Sequence, residues 1–176
     1  MDDMYLIPGP PPALRDTALG DTALLDTGPV REPEAEDLCA WIDALQSAHP
    51  DAIAHGPTAA RLWGVPLPLR VRSERRLHLA VEAGRSPVRR PEVVCASTRF
   101  YDPHLVQEVV VNGPGQTVVS LATLLDMEEL CLVLDHLFTH GECPETGDPD
   151  AARAFFRQYP RFPGAGRVRS ALAQFS

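Results

Sequence analysis

Apolar positions recur at helical spacing in some stretches of this chain and in short β-rich runs in others. Across residues 34–48, Leu38, Trp41, Ile42 and Leu45 fall at i, i+3, i+4 and i+7, behind Pro33 and three acids. Proline and negative charge both suit a helix start, so the spacing predicts a helix with one core face. Residues 52–54 read as a short strand, and residues 57–63 as a short helix stopped by Gly64 and Pro66. Residues 77–81 and 91–96 predict two strands, joined by an Arg- and Pro-containing turn over 84–90. Two more β-rich runs, 105–111 and 116–119, flank Asn112-Gly113-Pro114-Gly115, a reversal signal that predicts a hairpin. Ser120 then caps a short helix through Leu125. Asp126 and Glu129 stand at the spacing at which each side chain satisfies the other's backbone donor, ahead of a stripe of Leu130, Val133, Leu134, Leu137 and Phe138 that ends near Gly141. Asp148-Pro149 opens a helix through Phe155 and Phe156, and Val168, Leu172 and Phe175 line a last one.

Strands bracketed by helices predict an α+β fold, with a small, mostly antiparallel sheet packed with helices. Residues 1–33 carry six prolines and a near-repeat, Asp16-Thr17-Ala18-Leu19 and Asp21-Thr22-Ala23-Leu24, and read as a Pro-rich acidic arm. Residues 34–141 form the expected core and residues 142–176 a helical C-terminal extension. A chain of 176 residues with 44% hydrophobic and 23% charged positions suits one compact domain. No apolar run approaches the roughly 20 residues of a membrane span, and the start is acidic where a signal peptide is basic, so a cytoplasmic protein is expected. The four cysteines form no C-x-x-C pair and are expected as thiols, with Cys39 and Cys131 as small core residues.

Charge narrows the function classes. All sixteen basic residues are Arg, against 24 acids, for a net charge of −8. Residues 1–50 carry −8, residues 51–100 carry +5 and residues 101–176 carry −5. The basic middle, Arg70 to Arg90, suits an anionic partner, but the overall sign opposes non-specific attraction to DNA and no aromatic interleaves the arginines to stack bases. His136 and His140 share a helix face and, with Cys143, form the one metal-binding arrangement to weigh. Cys131 falls on the apolar stripe, no Glu follows His136, and histidines at a helix end also suit its dipole, so no metal is called for. No G-x-S-x-G and no Gly-Lys-Ser/Thr loop occurs, so hydrolase and phosphate-loop chemistry have no motif here. A non-enzymatic protein without a cofactor is expected.

Residues 55–68 read HGPTAARLWGVPLP. They resemble the "S-H-x-T-A-A-x-L-x-G-L-P" segment of the AbiEi-like antitoxin proteins common in actinobacteria. The likeness continues in order through residues 77–81, Val93-Val94, residues 117–120, residues 123–126 and Val133-Leu134-Asp135, over roughly 50–141. Three features depart from the family. No winged helix-turn-helix is expected in the Pro-rich, acidic first fifty residues, no Vsr-like endonuclease domain is expected after the likeness, and Ala122 replaces the usual Arg. The resemblance implies the middle domain of an antitoxin or transcriptional-regulator-like protein that binds a nucleotidyltransferase-type toxin. His55, Thr58 and Arg61, with the basic face of Arg75, Arg76, Arg89 and Arg90, are the expected contact residues. The alternatives are a nucleic-acid-associated accessory domain using the Arg70–Arg90 face, and a metal-binding protein using His136, His140 and Cys143.

Overall fold

The protein was analysed as a computed structural model that describes residues 33–100, 102–140, 149–159 and 161–175. The expected N-terminal arm and Cys143 lie outside those residues, apart from Pro33. In chain order the elements are α1 (Pro33–Ala48), β1 (Ala52–Ala54), α2 (Gly56–Leu62), α3 (Leu69–Arg72), β2 (Leu77–Glu82), β3 (Val93–Thr98), β4 (Pro103–Val106), β5 (Val109–Asn112), α4 (Pro114–Leu121), α5 (Met127–His140), α6 (Pro149–Gln158) and α7 (Ala165–Leu172). This is an α+β fold around one five-stranded sheet.

The strand order is β3-β2-β1-β5-β4. The pairs β1/β2 and β4/β5 are antiparallel, while β1/β5 and β2/β3 are parallel. The sheet is therefore mixed, where a mostly antiparallel one was expected. The chain segment between β2 and β3 is a crossover rather than a hairpin turn: its Val88 is buried in the core, and the Val88 N–H donates to Cys95 Sγ at 3.4 Å. Arg- and Pro-rich loop composition marks a connection but carries no information on strand direction. β1 has only three residues and meets β5 at the single pair Ala54–Val111. Beyond it, the Gln46 side chain of α1 takes over the role of a strand: its Nε2 donates to Val110 O at 2.7 Å and its Oε1 accepts from Val110 N at 2.9 Å.

Period-2 alternation gives the sheet two faces. On one, Leu77, Leu79, Val81 and Val93 pack with Leu38, Trp41, Ile42 and Leu45 of α1, the stripe read from the sequence. On the other, α2 covers the centre, with α4 packed against α2. Behind them Val118, Leu121, Leu130, Leu134, Phe156, Val168 and Leu172 form a second core shared by α4, α5, α6 and α7. Side chains of α6 and α7 belong to the same core as those of α5.

The run at 116–119 is helical, not a strand. Pro114 sits in the first turn of α4, where its fixed φ is pre-organised and its missing N–H removes nothing, and extended Gly113 is the N-cap. Residues 114–119 are buried on all sides, so β-branched side chains pack here as well as they would in a strand. Gly115 serves close packing rather than reversal, since a Cβ there would come within 2.6 Å of the Phe155 ring. The true hairpin turn is Gln107-Glu108, where both φ angles are positive, 47° and 70°. Ser120 lies in the last turn of α4 instead of opening a new helix. The expected reciprocal cap on α5 is present, with Asp126 N to Glu129 Oε2 and Glu129 N to Asp126 Oδ1 both at 2.9 Å.

Candidate functional site

Among the described residues no helix crosses the second face of the sheet over β3, and this opening is the site. Val94, Ala96 and Thr98 of β3 and His78 of β2 form its floor. The start of α2 (His55, Gly56, Pro57), the end of α4 with the turn after it (Gln116, Val119, Ser120, Thr123, Leu124), and Phe162-Pro163 form its walls. The cleft holds about 350 Å³, within the range of small-molecule and peptide-anchor pockets.

Two imidazoles dominate it. The antiparallel register that sets Ala54 opposite Leu79 brings His55 opposite His78, and His55 N–H donates to His78 O at 2.9 Å. His55 Nδ1 lies 2.5 Å from Asn112 Nδ2; with the amide as donor, Nδ1 accepts and the ring proton is on Nε2. Asn112 is fully buried, and its main-chain oxygen accepts from Trp63 Nε1 at 2.8 Å and Thr117 Oγ1 at 3.2 Å. Burial, and next the nearby His78, push the His55 pKa down to about 4. Burial also lowers that of His78, with Glu74 opposing and Arg76 adding to the shift. Both rings are thus neutral at neutral pH. Among the described residues His78 Nε2 and Asn112 Oδ1 are buried without a hydrogen-bond partner, a situation that costs about 1–3 kcal/mol per group. Ser120 directs its hydroxyl to the Thr117 carbonyl at 2.7 Å.

Of the residues expected from sequence, only His55 lines the cleft. Thr58 is 2% exposed and its Oγ1 accepts from His78 N at 2.9 Å, so it is a strut joining α2 to β2. Arg61 is half-buried in the last turn of α2. Arg75, Arg76, Arg89 and Arg90 do gather at one end of the sheet, because the parallel register pairs Leu77 with Val93 and so aligns the residues just before β2 and β3. Acids temper that end: Arg76 bonds Glu74 at 2.9 Å and Arg90 bonds Glu92 at 3.4 Å. The Arg76 contact holds the Glu74 carboxyl down at about 2. Arg70 is ion-paired to Glu129, away from them. His136 and His140 stack with centroids 4.7 Å apart. Among the described residues no group of three His, Cys, Asp or Glu is placed to hold a metal ion, and no helix is long and apolar enough to cross a membrane.

His78, Ser97, Thr98 and Gln116 were missed by sequence reasoning. His78 sits inside a β-rich run and reads as an ordinary strand residue, and Gln116 was assigned to a strand that does not exist. Compared with protein-family models, curated proteins and solved structures, the chain matches none of them.

Proposed function

We propose that this protein acts by binding rather than catalysis, in the manner of an AbiEi-like antitoxin or regulator, and that the His55–His78 cleft receives an element of a nucleotidyltransferase-type protein partner. One observation carries the reading. Segments that resemble the family and stand far apart in sequence, at 55–57, 78, 94, 119–120 and 123–124, line one cleft. The neutral imidazoles of His55 and His78 beside the apolar side chains of Val94 and Ala96 suit a polar but uncharged group on a partner. Ser120 is engaged with its own helix instead of with an imidazole, which fits binding better than nucleophilic chemistry.

The test is a pull-down from host lysate, with and without nuclease, read by mass spectrometry for wild type and for Thr123→Arg. Thr123 is exposed in the cleft wall, so the substitution fills the opening without disturbing the core. The expected result is a nucleotidyltransferase-like protein recovered regardless of nuclease and lost with Thr123→Arg. Recovery of nucleic acid alone, or of proteins lost on nuclease treatment, would replace this reading with one based on Arg75, Arg76, Arg89 and Arg90. Partner capture indifferent to Thr123→Arg would remove the cleft as its site.

A further inference from the structure

A second hollow, of about 460 Å³, lies between α6 and α7, remote in sequence from the cleft residues on β2 and β3 and lined by Asp150, Arg153, Arg157, Arg169, Leu172 and Ala173. Its charge is anomalous for this molecule. The whole chain carries −8, yet residues 149–175 hold five Arg against one acid. Three of those five line the hollow. Asp150, Arg153 and Arg157 fall at i, i+3 and i+7 on α6, a stripe opposite Arg169, Leu172 and Ala173 of α7. Helix pairs ordinarily join through apolar stripes, and α6 has one, with Ala152 and Phe156 in the core. The polar stripe is a separate feature.

Two of the three guanidiniums are held by hydrogen bonds. Arg153 Nε donates to Leu172 O at 3.2 Å and its NH1 to Asp150 Oδ1 at 2.6 Å, while Arg169 NH1 donates to Phe156 O at 3.3 Å. Carbonyl acceptors satisfy N–H groups without cancelling charge. Among the described residues, one carboxylate stands against three guanidiniums, an excess of two positive charges, so the arginines repel one another across the hollow. Planar guanidinium forks fit the oxygens of a phosphoryl group, and a dianion matches the excess. We infer that this hollow binds the dianionic phosphoryl group of a small phosphate monoester, with Arg153, Arg157 and Arg169 as its ligands and Leu172 and Ala173 beneath its organic part. Asp150 competes with that ligand for Arg153; it is 90% exposed and yields readily.

Calorimetric titration of the full chain with phenyl phosphate, at fixed ionic strength and with benzoate as the monoanionic counterpart, tests the site. Arg157 is exposed, so Arg157→Glu alters charge with little effect on folding; circular dichroism checks that the variant is folded. Saturable one-to-one binding of phenyl phosphate is expected, weakened at least about tenfold by Arg157→Glu and tightened severalfold by Asp150→Asn. Arg72→Glu, on α3 and outside the lining of the hollow, should leave it unchanged. Absence of saturable binding, equal affinity for benzoate, an unchanged constant in either hollow variant, or an equal loss in Arg72→Glu would each overturn the assignment.

Discussion

At the scale of single residues, His55 carries the clearest consequence. Its pKa of about 4 in the folded chain stands against an ordinary 6.5, because burial disfavours the imidazolium. Between those values the unfolded chain takes up a proton that the folded chain refuses. Stability therefore rises with pH through that window, is complete above 6.5, and is lost as pH falls toward 4. Two and a half units correspond to at most about 3 kcal/mol. Urea unfolding at pH 7.5 and pH 4.5 should show wild type losing about 2 kcal/mol more than His55→Gln across that interval. Equal losses would place the acid sensitivity elsewhere. His55 was legible in the sequence because a polar residue interrupted no apolar stripe there. Thr58 was legible as special but not as buried, since nothing local reveals that β2 returns to lie against α2.

At the scale of elements, strong periodicity and cap chemistry were legible and turn geometry was not. The α1 stripe and the Asp126–Glu129 cap appear as read, because both are decided within four or seven residues of chain. Residues 116–119 were misread because Gly115 was taken as a turn residue, and its reason for being glycine is Phe155, forty positions away. The β4–β5 turn lacked any glycine or asparagine to announce it. Left-handed backbone at Glu108 is unfavourable for a residue with a Cβ, so Glu108→Gly should raise stability by about 0.5–1 kcal/mol, measured as a higher midpoint of chemical denaturation. A lower midpoint would mean that the Glu108 side chain holds the turn. Gln107 is better left intact, because its Oε1 accepts from Cys39 Sγ at 3.1 Å.

At the scale of the whole molecule, layer architecture followed from the element pattern, whereas strand direction did not. The pairing of β1 with β5 joins residues 57 apart, which no local signal specifies. Summing charge over residues 101–176 hid an acidic stretch followed by an arginine-only one. The single backbone pair between β1 and β5 has a dynamic consequence. Two strand groups, β3–β2–β1 and β5–β4, are sewn together there by side chains: Gln46 on Val110, His55 on Asn112, Trp63 on Asn112. Such a seam opens at less expense than a full ladder. Native-state hydrogen exchange should give the Val110 and Val111 amides a lower opening free energy than Leu79 and Val81 in β2; parity would show that the side-chain stitches equal a ladder. His55 belongs both to the seam and to the cleft, so whatever lodges against its ring is felt as slowed exchange in β5, a strand that does not line the cleft.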